Sequence, residues 1–248
     1  MIICKSAAEI EKLRRSGHIV REILEEMQAM VRPGITTLAL EQYVEKRVRQ
    51  LGVQAAFKGY RGYPCCLCTS VNSEIVHGIP SGRVLKDGDI ISLDMGVVVS
   101  GYYGDSALTL PVGEISDSLR RLLRVTEESL HLAIEQVRLG NRLGDVSAAV
   151  QHHAEGAGYT VVREFVGHGI GLSLHEEPQV PNFGEAGHGP VLKEGMVLAI
   201  EPMVNAGASE IRMLNDHWTA VTADGACSAH FEHMVAVTRN GPDVLTHI

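Results

Sequence analysis

Residues 84–94 read VLKDGDIISLD, and residues 191–201 read VLKEGMVLAIE. Four positions are identical, and every residue of the second copy lies 107 positions after its counterpart in the first. In each copy a Lys-acid-Gly turn leads into a run of apolar residues with high strand propensity, which predicts a buried β-strand. The strands end in Asp94 and Glu201. The repeat therefore predicts an internal duplication in which each half delivers one carboxylate at the same structural position.

Each half also supplies a second acid close to the first. Asp105 follows Asp94 in a predicted β-hairpin. Glu232 lies 127 positions after Asp105 rather than 107, so the second hairpin holds about 20 extra residues. A buried carboxylate is costly unless a positive group meets it, and four at one centre would repel each other. Any single acid of this kind is more often a solvated hairpin residue, but the duplicated set favours a dinuclear metal site.

A pair of helices precedes the strands in each half. In the first half a capping-box pattern begins at Ser6, and apolar residues recur every three or four positions up to VRPG at 31–34. A second amphipathic pattern over 38–51 ends at a glycine. VRLG at 137–140 repeats the VRPG marker 106 positions later. Two helices followed by strands in each half predict an α+β fold of two pseudo-twofold related half-domains.

Nothing in the sequence separates these halves into independent domains. No low-complexity linker and no shorter repeat interrupts the chain. We therefore expect a single catalytic domain over residues 1–248, made of half-domains at about 1–113 and 114–248 that pack closely together.

Composition and charge limit the kinds of partner. The chain has 248 residues, with 30 acidic and 22 basic side chains and a net charge of −8, so we expect no nucleic acid binding of its own. The N-terminus lacks the apolar run and cleavage site of a signal peptide, and no apolar stretch is long enough to span a membrane. We expect a cytoplasmic protein without a membrane partner. The five cysteines, an odd number, favour reduced thiols.

Three histidines lie in settings that suit a metal site or a substrate. His168 is flanked by glycines after a predicted strand over 161–166, and glycines allow close approach of the backbone. A lone histidine there is more often a hydrogen-bonded core residue, but oxygen-rich dinuclear sites commonly include an imidazole. His77 in VHGIP has a similar setting, and His175 in LHEEP is a third candidate. We read Glu176, beside His175, as a supporting or surface charge.

Several longer motifs, taken together and in order, resemble the type I methionine aminopeptidases. They are FKGYRGYPCCLCTSVNSEIVHGIP, ISLDMG with GYYGDSALT, VGHGIGLSLHEEPQVPNFG, LAIEPMVN, DHWTAVTADG and SAHFEHMVAVT. The resemblance covers essentially the whole length, and the set is specific although no single motif would be. It implies the pita-bread fold shared with proline-directed peptidases and creatinase, with antiparallel sheet inside and helices outside.

The resemblance also implies roles for individual residues. The five metal ligands that it implies are Asp94, Asp105, His168, Glu201 and Glu232. It places His77 and His175 against the substrate near the scissile amide. The methionine pocket that it implies is lined by Phe57, Tyr60, Tyr63, Cys68, Leu174 and Trp218. Without the resemblance these pocket residues would be read as ordinary core. The chain departs from the family pattern at Met234, where threonine is expected, and at Leu174, where an aromatic residue is frequent.

The activity that the resemblance implies is metal-dependent removal of the initiator methionine from nascent proteins, favoured when the second residue is small. The resemblance implies two divalent ions, which would be Co, Mn, Fe or Zn. A water or hydroxide that bridges them would attack the carbonyl carbon, with Glu201 as general base. The expected partners are nascent polypeptide N-termini, with transient ribosome contact, and we expect a monomer. The rivals are a proline-directed peptidase with the same ligands and an inactive relative that binds RNA or ribosomes.

Overall fold

The computed structural model describes residues 1–247 of the chain. Within that range the α-helices are α1 Ala7–Gln28, α2 Thr37–Leu51, α3 Asp117–Glu135 and α4 Leu143–Gly156, and a short 3-10 turn spans Tyr60–Gly62. The strands are β1 Gln54–Ala55, β2 Leu67–Val71, β3 Glu74–Val76, β4 Ile90–Val99, β5 Tyr102–Pro111, β6 Thr160–Val161, β7 Gly167–Gly169, β8 Glu176–Val180, β9 Val197–Ile200, β10 Met203–Asn205, β11 Ile211–Met213, β12 Ala220–Thr222, β13 Ser228–His230, β14 His233–Thr238 and β15 Gly241–Val244. None of the described helices combines the length and the apolar character needed to cross a membrane.

The helices begin and end where local chemistry requires. At the start of α1 the Ser6 hydroxyl accepts a hydrogen bond from the Glu9 amide, and the Glu9 carboxylate accepts one from the Ser6 amide, which confirms the predicted capping box. Gly52 ends α2 with a φ of +66°, a conformation that glycine adopts without strain. The helix α4 ends at Gly156, two residues before the glycine at 158 that the sequence suggested.

The duplication predicted from residues 84–94 is visible in the backbone. Thr36, the N-cap of α2, forms an isolated antiparallel bridge with Val84. Arg142, the N-cap of α4, forms the same bridge with Val191. In both halves the second helix therefore starts against the residue that opens the repeated segment. The division of the chain into half-domains 1–113 and 114–248 stays a prediction that these paired bridges support.

The two sheets that carry the repeated strands are antiparallel throughout. The order β1-β4-β2, with β5 paired to β4, forms the sheet of the first half. The order β15-β14-β9-β7-β8 forms that of the second half. Two three-stranded sheets, β13-β10-β6 and β11-β12-β3, complete the arrangement. The predicted strand over 161–166 was too long, because pairing stops after the two residues of β6 and the chain bends towards a cavity.

Hydrogen bonds from β5 join the first half to the second. The Glu232 amide donates to the Ala107 carbonyl over 2.9 Å. The Thr109 hydroxyl donates to the His230 carbonyl over 2.7 Å and accepts from the His230 amide over 2.8 Å. These atoms are buried, so each bond replaces water that the groups would otherwise bind. The hairpin of one half thereby fixes the segment that carries the last acid of the other.

Helix α1 packs directly onto the β4–β5 hairpin, and its apolar face is fully buried. The Ser16 hydroxyl donates to the Tyr102 carbonyl over 2.9 Å. At Gly104 an added Cβ would lie 2.5 Å from the Ser16 carbonyl carbon, closer than van der Waals contact permits. The absence of a side chain at this position is what lets the helix approach the hairpin.

Replacement of Gly104 by Ala should therefore destabilise the fold. The new methyl group would force α1 away from β5, and overpacking of this kind costs about 1–3 kcal/mol. Gly156→Ala is the matched control, because a Cβ there meets no atom within 4 Å and Ala is the better helix former. Urea unfolding followed by circular dichroism measures both. Equal stability of the two variants would contradict this account of the helix–hairpin contact.

Candidate metal centre and substrate pocket

The first two predicted metal ligands lie on the β4–β5 hairpin. The register pairs Asp94 with Ala107 and Gly96 with Asp105. Side chains directly opposite each other share a face of the sheet, and so do residues two apart on one strand. Asp94 and Asp105 therefore lie on the same face as diagonal neighbours, rather than directly side by side.

The second half repeats this placement. Glu201 directly follows β9, and Glu232 directly precedes β14. The register pairs Ile200 with His233, so the two acids lie next to each other where these strands end. Strands β10 to β13 lie between the two acids, in the insertion predicted from the longer spacing.

His168 lies on β7, paired with β9, between acids of both halves. Its Nε2 is 3.8 Å from Asp105 Oδ2 and 3.5 Å from Glu201 Oε1. Its Nδ1 lies 3.0 Å from the Gly169 carbonyl oxygen, which can only accept, so Nδ1 carries the proton. Burial lowers the pKa of His168 to about 3, so the ring is neutral and Nε2 presents a lone pair to the acids. This is the tautomer that binds a metal ion.

The four acids lack any compensating cation among the described residues. Burial raises the pKa of Asp94 to about 7 and that of Glu201 to about 8. Burial and the neighbouring carboxylates raise the pKa values of Asp105 and Glu232 well above the ordinary range. One oxygen each of Asp94, Asp105 and Glu232 is buried without a hydrogen-bond partner within residues 1–247.

Divalent metal ions fit this donor set. Ligand atoms of Asp105, His168 and Glu232 lie within 4.8 Å of one another, which is the spacing of donors around one ion. Oxygen-rich sites with one imidazole suit hard or borderline divalent cations, and such ions would compensate the buried negative charge. The orphaned oxygens and the free lone pair of His168 therefore point to the same centre.

The acids open into a cavity of about 280 Å³ that contains all thirteen residues singled out from the sequence. Its lining comprises Asp94, Asp105, His168, Glu201, Glu232, His77, His175, Phe57, Tyr60, Tyr63, Cys68, Leu174 and Trp218, together with Arg61, Glu164, Phe165 and Val166. The last four were missed from the sequence. Phe165 and Val166 were read as parts of a strand, and no motif marked Arg61 or Glu164. The individual roles of the thirteen residues stay predictions.

Aromatic contacts shape part of the cavity wall. The Trp218 ring meets Tyr63 edge-on with centroids 5.1 Å apart, and the His77 ring meets Phe165 edge-on at 5.3 Å. Burial lowers the pKa of His77 to about 4, so this imidazole is neutral at physiological pH. His77 has a φ of +62°, which is uncommon for a residue with a side chain. Its fixed, neutral ring therefore faces the cavity from a constrained turn.

The loop that carries His175 is tied to the N-terminus. The Glu176 carboxylate accepts hydrogen bonds from the amides of Leu172 and Ser173 and forms an ion pair with Lys5. The Lys5 and Glu176 side chains are only 4% and 10% exposed, so water screens this pair weakly. Glu176 was read from the sequence as a supporting or surface charge. The structure gives it the supporting position, because its contacts fold the turn that precedes His175.

Comparison with known proteins agrees with this geometry. The model of metallopeptidase family M24 matches residues 11–239. The chain belongs to metallopeptidase family M24. Methionine aminopeptidase 1 of Bacillus subtilis is 51% identical to this M24 peptidase over 248 residues, and the match covers 100% of each chain. A methionine aminopeptidase of Clostridium perfringens is 50% identical over 248 residues, again 100% of each chain.

Solved structures give the same result. The crystal structure of methionine aminopeptidase from Thermotoga maritima superposes on the M24 peptidase with a TM-score of 0.98 and 47% identity, covering 100% of each chain. A prolidase from Pyrococcus furiosus superposes with a TM-score of 0.79 at 23% identity, and the match covers 99% of this chain and 66% of the prolidase. At this identity the likeness concerns the fold only. These comparisons confirm the predicted resemblance, the pita-bread α+β fold and the prediction of a metal-dependent aminopeptidase.

Lys5→Met should destabilise the M24 peptidase. Removal of one partner leaves Glu176 charged and largely buried, and loss of one partner of a buried pair costs about 3–5 kcal/mol. The double variant Lys5→Met with Glu176→Gln removes both charges and keeps an amide oxygen for the Leu172 and Ser173 amides. It should therefore be more stable than Lys5→Met alone. The free energies of unfolding in urea of the wild type, Lys5→Met, Glu176→Gln and the double variant form a double-mutant cycle. If the losses of the two single variants simply add up to the loss of the double variant, Lys5 and Glu176 are not coupled.

Proposed function

We propose that this M24 peptidase cleaves the first peptide bond of polypeptides that begin with methionine, and that it favours a small second residue. The observation that carries the proposal is the convergence of four buried acids and one imidazole lone pair in a cavity that is also lined by aromatic side chains. We assign two divalent metal ions to Asp94, Asp105, His168, Glu201 and Glu232. When bound, such ions acidify water and polarise a carbonyl oxygen.

Glu201 is our choice for the general base. It follows β9 directly, its side chain is 14% exposed, and it lines the cavity beside His168. A carboxylate in this position can take a proton from the attacking water and pass it to the departing amine. Burial raises the pKa of Glu201, so the ionised carboxylate is a stronger proton acceptor than an exposed one.

The two remaining histidines suit the atoms on either side of the scissile bond. The Tyr60 hydroxyl lies 2.8 Å from His175 Nδ1. If the hydroxyl donates, the His175 proton lies on Nε2, where it can stabilise an oxyanion that forms from the carbonyl. His77, neutral and packed between Phe165 and Trp218, is placed to bond the scissile nitrogen. We assign these roles to His175 and His77.

The remaining cavity residues suit a methionine side chain. Tyr63, Cys68, Leu174 and Phe57 are buried, and Trp218 packs edge-on against Tyr63. A thioether makes favourable contacts with aromatic rings, so this wall recognises methionine by shape and by sulfur contact.

The metal centre also explains action at the first residue alone. A free α-amino group can lose its proton near neutral pH and then offers a lone pair to a divalent ion, which an internal amide nitrogen does not. We propose nascent polypeptide N-termini as the substrate class. Transient ribosome contact, a monomeric state and a cytoplasmic location stay predictions.

Peptides that differ only in the second residue test the specificity. Met-Ala-Ser should release free methionine roughly 10²-fold faster than Met-Lys-Ser, because bulk beside the scissile bond collides with a pocket closed around methionine. Chromatography of released methionine measures both rates. An Ala-Pro dipeptide assayed in parallel tests the proline-directed rival. Equal cleavage of the two Met peptides would refute the size preference, and preferential cleavage of Ala-Pro would favour the rival.

Removal of the proposed base should abolish turnover without unfolding the protein. Glu201→Gln should lower kcat on Met-Ala-Ser by about 10²–10⁴-fold, the usual contribution of general acid–base catalysis. Glu210→Gln, an exposed acid in the same insertion, is the matched control and should retain activity. A chelator should inactivate the wild type, and Mn²⁺ or Co²⁺ should restore it. Substantial activity of metal-repleted Glu201→Gln would rule out Glu201 as the base.

A further inference from the structure

His230 is a buried histidine outside the residues assigned above. It ends β13, is 1% exposed, and neither ring nitrogen has a hydrogen-bond partner within residues 1–247. A buried polar group without a partner is costly, so such groups call for an explanation. A carboxylate close to the ring suggests an explanation.

The carboxylate close to the His230 ring belongs to Glu201. His230 Nε2 lies 3.6 Å from Glu201 Oε2, while the other carboxylate oxygen, Oε1, lies 3.5 Å from His168 Nε2. The Glu201 carboxylate therefore lies between two imidazoles, with one ring facing each oxygen.

The two imidazoles differ in what they can offer. His168 has its proton on Nδ1, held by the Gly169 carbonyl, so its Nε2 can only present a lone pair towards Glu201. Two electron-pair donors that face each other suit a cation between them. No backbone group fixes the His230 proton among the described residues, so Nε2 of this ring is free to carry it and to donate.

The backbone of His230 is held rigidly from both sides. Its amide and carbonyl both bond the Thr109 hydroxyl, which also lies 2.9 Å from the Ser92 hydroxyl. Strand pairing places His230 directly opposite Met203. Met203 lies two residues after Glu201 in the chain. The backbone that carries the ring is thus held in place before any ligand binds, as required of a group that positions another.

We propose that His230 is a positioning residue, which donates an Nε2–H hydrogen bond to Glu201 Oε2 and so keeps Oε1 turned towards His168 and the metal centre. This inference rests on the proposed function, because that function assigns Glu201 as ligand and base. Carboxylate ligands are commonly held by hydrogen bonds of this kind, and without the bond Glu201 can rotate about its terminal torsion.

The proton position can be measured on the unmutated enzyme. Nitrogen-15 NMR of histidine-labelled protein loaded with Zn²⁺ distinguishes the two tautomers and a metal-bound nitrogen. The expected result is a neutral His230 with its proton on Nε2. A proton on Nδ1, or direct bonding of His230 Nε2 to Zn²⁺, would overturn the proposal.

Two amide variants form a matched pair. His230→Gln places an N–H near the position of Nε2, whereas His230→Asn reaches only the position of Nδ1. His230→Asn should lower both the Zn²⁺ affinity, measured by calorimetry, and kcat by about 10–100-fold relative to wild type, while KM stays within about 2-fold. His230→Gln should keep the Zn²⁺ affinity and kcat within about 3-fold of wild type. Equal losses in the two variants, or none in either, would refute the positioning role.

The experiments on His230 can fail or succeed independently of the test of the proposed function. If the wild type binds Zn²⁺ but fails to cleave Met-Ala-Ser, the proposed function fails. The tautomer of His230 and the Zn²⁺ affinities of the two variants still test the hydrogen bond to Glu201. Thermal unfolding of both variants checks that each is folded before the comparison.

Discussion

The burial of four carboxylates at the junction of two halves is the constraint on which the rest of the structure depends. Asp94 and Asp105 come from the β4–β5 hairpin, Glu201 and Glu232 adjoin the paired strands β9 and β14, and burial raises the pKa of each acid. Without counter-charge the ionised cluster would oppose folding. The neutral ring of His168, with its lone pair turned inward, makes the cluster a ligand set for cations. Metal dependence is therefore built into the packing of this M24 peptidase.

The surrounding elements hold these acids in place through contacts between distant parts of the chain. The Thr109 hydroxyl on β5 bonds both backbone groups of His230, and the Ala107 carbonyl accepts from the Glu232 amide. Helix α1 covers the same hairpin from outside, at a distance that Gly104 permits. Asp94, Asp105 and His168 lie on strands, and Glu201 and Glu232 directly adjoin strand ends, which keeps the donors at fixed separations.

The sequence was sufficient for features set by local chemistry or by repetition. The Ser6 capping box and the helix stop at Gly52 follow from short patterns that act within a few residues. The paired acids follow from the repeat at a shift of 107 positions. The resemblance supplied the cavity residues. The diagonal offset of Asp94 and Asp105 depends on hairpin register, which hydrophobic pattern alone did not fix. The position of His230 depends on pairing across the chain, and its motif gave no signal of its contact with Glu201.

The ion pair between Lys5 and Glu176 has a consequence for biosynthesis. Its partners are separated by 171 residues, so this contact forms only after Glu176 has been synthesised. Glu232, the last acid of the cluster, is made later still. The cluster of acids is therefore complete only after Glu232 has been synthesised. A prematurely terminated copy ending before Glu232 would hold three of the acids and lack the fourth.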